Sequence, residues 1–383
     1  MIFQTHNGVI ILKKVISFFK KEAVLCISGI LAIISCFFVP PSLTYLDYID
    51  LRVLILLLCL MLVVAGIRQT GAFTVICEAL LKKFRSIKIV GLMLVLLSFF
   101  LSMLLTNDVA LVTLVPFTLL MFEKINGEKK SKALIILLVL ETAAANLGSM
   151  LTPMGNPQNL YLYSKFGLTI AEFFGIIFPY SALSLVMVVC SVFLFLPKLE
   201  TEKPSDSTRI NGRVKLILFI VLFLVCMLTI LRILDDKILL VIVALAVLIL
   251  DRKLFLQADY SLLLTFVFFF VFVGNLGSIP ALSDALKSVF QGNEVIISVA
   301  LSQVISNVPA ALLLSGISDN FRALIIGVNM GGLGTLIASM ASLITYKFYA
   351  NSKDSSPKKY ILTFTAFSLC YLAALGVLYF IVG

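Results

Sequence analysis

The chain has 383 residues, 61% hydrophobic and 13% charged, with a mean hydropathy of +1.13; soluble domains carry about 25% charge, so the soluble classes are excluded. The net charge of +10 would suit nucleic acid, yet Lys and Arg fall in short loops between apolar runs, a membrane pattern that leaves no nucleic-acid partner expected. All seven Cys lie in or beside apolar runs, with no CxxC pair and no Cys/His cluster, so they read as small packing residues.

Apolar runs able to cross about 30 Å of hydrocarbon are the units of the chain. A basic stretch with Lys13, Lys14, Lys20 and Lys21 precedes the first run, 23–40. Phe37-Phe38-Val39-Pro40-Pro41 offers no small-residue cleavage site, so this run is expected to remain as a first span rather than leave as a signal peptide. Residues 1–49 form a tail plus that span, and the following 50–197 form a first unit. The unit holds a span at 51–66, an amphipathic stretch at 72–84, a hairpin at 87–122, an interrupted span at 133–163 and a span at 170–197. A polar linker at 198–213 is followed by two connecting spans within 214–253. The second unit, 254–383, repeats the order: a span at 261–273, an amphipathic stretch at 280–290, a hairpin at 294–317, an interrupted span at 322–349 and a last span at 360–382.

The two units share more than their order. Leu101-Ser102-x-x-Leu105-Thr106-Asn107 returns 200 residues later as Leu301-Ser302-x-x-Ile305-Ser306-Asn307. Asn146-Leu147-Gly148 with Thr152 returns as Asn329-Met330-Gly331 with Thr335. Gly66-Ile67-Arg68-Gln69-Thr70-Gly71 matches Gly274-Asn275-Leu276-Gly277-Ser278. Basic clusters at 13–21, 82–88, 124–132, 198–215, 251–253 and 347–359 fall on one side if each hairpin turns back on itself, which places the N-terminus in the cytoplasm and the C-terminus outside. Five crossings separate the matched spans, so the second unit is inverted. The expected architecture is an all-α polytopic membrane protein of about nine full spans plus two re-entrant helical hairpins, with two broken helices, as in inverted-repeat secondary transporters.

The chemistry is expected where backbone meets solute at membrane depth. At the tips Thr106-Asn107-Asp108 and Ser306-Asn307-Val308-Pro309 the chain reverses, and hydroxyl, amide and carbonyl oxygens there suit a hard monovalent cation while the Asn NH₂ groups suit an anion. The stretch from Gly148 to Asn159 carries two prolines and two glycines in twelve residues and cannot stay helical. Asn156 and Pro157 read as an N-cap and first-turn pair restarting a helix, whose positive end is an anion site. The matching stretch 331–339 unwinds through its glycines. The expected substrate site is therefore Thr106, Asn107, Asn156, Pro157, Ser306, Asn307 and Thr335. The expected coupling-ion site, for Na⁺ or H⁺, is Thr106, Asn107, Asp108, Gly148, Thr152, Asn159, Ser306, Asn307, Gly331 and Thr335. Two acids have no counterpart in the other unit: Asp108 aligns with Val308 and is favoured as a coupling-ion ligand. Glu141 aligns with Leu324 and either binds an ion or pairs with Arg68. Tyr45, Tyr48, Tyr346, Tyr349 and Tyr360 read as interface anchors.

At these residues the chain resembles the ion transporter superfamily of divalent-anion:sodium symporters, citrate carriers and arsenite efflux permeases, over about residues 50–383. The tips look like that family's Ser-Asn-Thr signatures, and Gly155-Asn156-Pro157-Gln158-Asn159 looks like its Gly-Thr-Pro-x-Asn break. The resemblance implies that Thr106, Asn107, Ser306 and Asn307 touch both substrate and Na⁺, that the breaks complete the Na⁺ sites, and that the chain is a homodimer with a scaffold and a moving domain. Asp108 and Val308 replace the family's third-position Thr, and Asn107-Asp108 resembles the arsenite permeases instead. The expectation is a secondary active transporter of a small anion, carboxylate or inorganic oxyanion, in a bacterial-type inner membrane. Bound Na⁺ is its only expected cofactor; the alternative is an arsenite-type efflux permease or a Na⁺/H⁺ antiporter using Asp108. No catalytic residue is expected, because the single His is His6, outside the membrane, and no HExxH, GxSxG or Walker A motif stands in a supporting context.

Overall fold

The computed structural model describes residues 22–84, 86–123, 125, 129–200, 212–279, 287–353 and 355–382. The N-terminal basic stretch, Arg85, Lys124, most of the 198–213 linker and the start of the 280–290 amphipathic stretch lie outside them, as do the side chains of Lys82 and Lys83.

The apolar runs become helices because a backbone away from water must satisfy its polar groups within its own segment. In chain order these are α1 (Ala23–Phe38), α2 (Leu51–Gln69), α3 (Ala72–Lys83), α4 (Ile87–Leu105), α5 (Asn107–Glu123), α6 (Lys130–Ser149), α7 (Pro157–Lys165) and α8 (Ile170–Phe195). After the linker come α9 (Arg213–Ile230), α10 (Asp236–Asp251), α11 (Tyr260–Gly277), α12 (Glu294–Ile305), α13 (Asn307–Leu314), α14 (Phe321–Gly331), α15 (Met340–Ala350) and α16 (Pro357–Val382). The helix starts follow local chemistry: Asp50, Asp235, Asp259 and Asn320 each accept a bond from a first-turn amide, and Thr169 and Glu172 form a reciprocal capping box on α8. Among the described residues there is no strand, only an isolated bridge between Ser86 and Glu200.

Two helices form the centre. Every residue of α6 from Ala133 to Ser149 is buried, and so is every residue of α14 from Ala323 to Gly331. A helix apolar all round requires such a position. Helix α6 packs against α4, α5, α8, α15 and α16, while α14 packs against α12, α13, α7 and α8. The outer helices α8, α9, α10 and α16 expose Phe, Leu, Ile and Val side chains, among them Phe193, Val214, Ile249 and Phe380, the composition of a surface that meets lipid.

Helix lengths and burial bear on three expectations. Seven helices among the described residues have the length and apolarity of a span (α2, α4, α6, α8, α9, α11 and α16), whereas the first and sixth expected spans, α1 and α10, have 16 residues each. The hairpins also differ from each other. Helix α4 has 19 residues, about 28 Å and enough to cross, but α12 and α13 have 12 and 8, about 18 and 12 Å. Finally, Tyr349 and Tyr360 are not interface anchors. Both are fully buried and stack with centroids 5.0 Å apart, because α16 folds back over α15 and α6.

Helices α4 and α6 approach so closely that a Cβ at Gly148 would strike the Phe99 carbonyl and lie 2.7 Å from the Ser102 hydroxyl. Gly148→Ala is expected to lower the apparent melting midpoint, at an overpacking cost of about 1–3 kcal/mol. Gly175→Ala, in open space on α8, should leave the midpoint unchanged or raise it, since Ala is the better helix former by about 1 kcal/mol. Thermal unfolding of the two purified variants side by side checks this.

Candidate functional site

The hairpin tips have the same backbone. Thr106 has φ 84° and ψ 146°, and Ser306 has φ 76° and ψ 156°. They are two of the three non-glycine residues with positive φ among those described. Such a conformation costs a non-glycine residue on the order of 1–3 kcal/mol and persists only where its surroundings hold it. At the first tip the Asn107 amide N–H donates to the Gly155 carbonyl at 3.1 Å, and Asn107 Nδ2 donates to Asn146 Oδ1 at 2.9 Å. At the second tip Ser306 Oγ donates to the Ala338 carbonyl at 3.3 Å.

Each tip is followed by a broken helix. Helix α6 ends at Ser149, and α7 restarts at Pro157 with Asn156 as its cap, accepting from the Asn159 amide at 2.9 Å. The Asn159 amide group turns back and is shared among the carbonyls of Ser149, Met150 and Thr152, at 3.2–3.4 Å, so it caps the end of α6. In the second break α14 ends at Gly331, and Gln303 takes the equivalent task from α12. Its Nε2 donates to the Gly331 and Leu333 carbonyls at 3.0 and 2.9 Å, and its Oε1 accepts from the Thr335 amide at 2.8 Å. Thr152 Oγ1 donates to the Met103 carbonyl, and Thr335 Oγ1 donates to the Gln303 carbonyl at 3.4 Å, at matched positions.

The units are joined across the centre by two asparagines. Asn146 Oδ1 accepts from Ser339 Oγ at 2.9 Å and its Nδ2 donates to Ser342 Oγ at 3.2 Å, reaching the restart of α15. Asn329 Nδ2 donates to Asn159 Oδ1 at 2.7 Å, and its Oδ1 accepts from Asn156 Nδ2 at 3.3 Å, reaching the restart of α7. Both asparagines are buried, so these bonds replace water that cannot enter.

A cavity of about 620 Å³ opens beside the first tip. Its polar lining is Arg68, Gln69, Thr106, Asp108, Asn156, Gln257 and Asp259, and α2 supplies apolar wall through Leu57, Leu60, Met61 and Val64. Asp108 Oδ1 is buried there without a hydrogen-bond partner. Asp259 uses one oxygen to cap α11, accepting from the Leu262 amide at 2.9 Å. A second cavity, about 430 Å³, lies at the other end of α2, lined by Tyr48, Asp50, Tyr161, Ser164, Lys165 and Gly274 among others. Helix α7 is the wall between them. Asn156, Pro157 and Leu160 face the first cavity; Tyr161, Ser164 and Lys165 face the second. Tyr161 is held at the wall by a 2.8 Å hydrogen bond to Ser315 and by the rings of Phe266 and Phe270.

The expected residues thus divide. Thr106, Asp108, Asn156 and Pro157 line the large cavity. Asn107, Ser306 and Asn307 are buried in the polar network behind it, and Thr335 is exposed on the second break. The carbonyls of Gly148 and Gly331, together with the Thr152 and Asn159 side chains, are taken up in bonds within the protein. Glu141 makes no ion pair with Arg68: Arg68 lines the cavity, while Glu141 Oε1 accepts from Thr118 at 2.7 Å. Five residues were absent from the expected site. Asn146 and Asn329 were marked by their repeat, whereas Gln303, Arg68 and Asp259 carry no mutual spacing that signals a shared site; of these Gln303 caps the second break and the other two line the cavity.

An all-helical bundle with two broken helices, and a cavity that carries charged side chains at one of the breaks, is that of an integral, multi-pass membrane transporter. The citrate transporter family matches residues 9–322, and the chain belongs to that family, a member of the ion transporter superfamily. The chain is 35% identical to an uncharacterized transporter of Methanocaldococcus jannaschii over 303 residues, covering 78% of this chain and 81% of that one. It is 33% identical to inner membrane protein YbiR of Escherichia coli over 316 residues, covering 81% and 83%. A shorter match, 30% identical over 137 residues, covers 36% of this chain and 23% of a Dictyostelium discoideum protein named as a transporter, arsB.

Removing a capping amide leaves buried carbonyls without a donor, at about 1–3 kcal/mol. Asn159→Ala and Gln303→Ala are each expected to lower the melting midpoint of the purified protein, whereas Gln69→Ala, at the cavity edge, should not.

Proposed function

We propose that the chain is a secondary active carrier of a small anion, a carboxylate or an inorganic oxyanion, coupled to Na⁺ or H⁺ and working by alternating access. The observation that carries this reading is the large cavity, which brings together the Thr106 tip, the N-terminal end of α7 at Asn156 and Pro157, and the Arg68 guanidinium. A helix N-terminus and a guanidinium both favour an anion. Asp108, with an oxygen that no protein donor satisfies, is the group available to a proton or Na⁺.

The units 50–197 and 254–383 enter the membrane from opposite faces, each bringing one re-entrant hairpin and one broken helix. Matching tip backbones, together with the mutual reach of Asn146 and Asn329, support that relation. With basic loops in the cytoplasm, the Arg68 and Asp259 end of the cavity faces inward, so the conformation is inward-open, and α7 with Tyr161 closes the outer side. The family resemblance supports a homodimer, and the name of the Escherichia coli relative supports an inner membrane.

A second reading has one observation behind it. Two carboxylates, Asp108 and Asp259, share the cavity with one guanidinium, a balance that suits a neutral oxyacid or a cation exchanged for protons. An arsenite-type efflux permease or a Na⁺/H⁺ antiporter would use Asp108 in that way.

Protein in liposomes should take up a labelled carboxylate or oxyanion when an inward Na⁺ or H⁺ gradient is imposed, and no uptake of any tested anion under either gradient would falsify the carrier reading. Arg68→Gln should weaken anion uptake by tenfold or more while leaving the melting midpoint in place. Asp108→Asn separates the two coupling modes: loss of the pH dependence of flux assigns the proton to Asp108, and an unaltered pH profile assigns that residue to the structure.

A further inference from the structure

Glu141 lies on α6 away from both cavities, and nothing in the proposed transport cycle uses it. It is fully buried. Oε1 accepts a 2.7 Å hydrogen bond from Thr118 on α5, and Oε2 is sealed from solvent with no hydrogen-bond partner. A buried carboxylate needs a cation or several donors, and a lone one is far costlier to bury than the neutral acid.

No cation serves it from the helices packed on α6. On α4, Lys88 donates to the Phe193 carbonyl at 2.8 Å. Lys347 of α15 and Lys358 and Lys359 of α16 are exposed. Helices α5 and α8 contain no Lys or Arg, and Lys130 and Lys132 are at the far start of α6. The acids of these helices are also elsewhere: Asp108 is at the cavity, Glu123 is exposed, and Glu172 caps α8. Tyr360 of α16, buried and stacked on Tyr349, lies within electrostatic reach of Glu141 and beside Thr142, and a phenol brings no positive charge.

We propose that Glu141 is a proton-binding site, separate from the cavity, with the carbonyl oxygen Oε1 held by Thr118 and the proton carried on Oε2. Without the proton, an uncompensated negative charge would stand among α5, α6 and α16. The packing of those three helices therefore requires the proton, and its release requires that α5 or α16 move and let water reach the carboxyl. Thr118 belongs to the arm of the first hairpin, so proton occupancy at Glu141 and the position of that hairpin are linked through one hydrogen bond. The proposal does not rest on the transport reading, because it concerns a proton held by the resting protein.

Infrared spectroscopy of the purified full-length chain, in D₂O at neutral pH and in a detergent without ester carbonyls, tests it directly. The carbonyl stretch of a protonated carboxylic acid is expected in the wild type, lost or reduced by one component in Glu141→Gln, and retained from this residue in Asp108→Asn. Thr118→Val keeps the acid but removes the donor to its carbonyl oxygen, and should move that component to higher frequency. This second variant decides the matter if Glu141→Gln does not fold. An acid band absent from the wild type, unchanged in Glu141→Gln, or unmoved in Thr118→Val overturns the proposal.

Discussion

Where a helix breaks among other helices and lipid, its end carbonyls and amides must be bonded by protein, since no water is there to do so. In this chain amide side chains meet that requirement. Asn159 and Gln303 each turn a single NH₂ group onto the carbonyls at the end of α6 and α14, and Asn146 and Asn329 each reach the restarted helix of the other unit. An amide suits the task because it carries two donors and an acceptor on a short stem. The strained tips depend on the same network, since the backbone of Asn107 is tied to Gly155 and its side chain to Asn146. Removing the crossed amides would leave both the tips and the breaks without a reason to hold their shape.

The two units meet the same constraint with different residues, and those differences carry the individuality of the protein. The first break is capped from within by Asn159 and stiffened by Pro157, while the second is capped from the hairpin by Gln303, whose counterpart is Met103. Asp108 faces a cavity where Val308 is buried against neighbouring helices. Glu141 occupies a site where the other unit has Leu324. Asp108 and Glu141 both lie within 50–197, while the cavity that Asp108 lines also draws Asp259 and Met340 from 254–383.

Much of this was legible in the chain. The 200-residue recurrence of Thr/Ser-Asn marked both tips, and Asn156-Pro157 marked the restart of α7, because local chemistry leaves few other conformations open to such sequences. Other features could not be read, and each for a physical reason. The polar groups of the breaks look free along the sequence, but folding supplies partners: Gly331 offers its carbonyl to Gln303, 28 positions earlier. Tyr349 and Tyr360 carry the composition of interface anchors, yet their burial is settled by how α16 folds back. The suspected pairing of Glu141 with Arg68 failed because opposite charges in a sequence say nothing about where packing puts each one: Arg68 lines the cavity and Glu141 meets Thr118.

The sequence alone determined the membrane setting, the order of the helices, the two tips and the two breaks. These follow from hydropathy, from proline and glycine chemistry, and from repetition, all of which act over a few residues or by comparison of segments. Tertiary structure decided which polar groups are spent on one another and which are left facing open space. That division separates Thr106, Asp108, Asn156 and Arg68 at the cavity from Asn146, Asn329 and Gln303 in the network. It depends on distances of about 3 Å between residues tens to hundreds of positions apart, and only packing sets such distances.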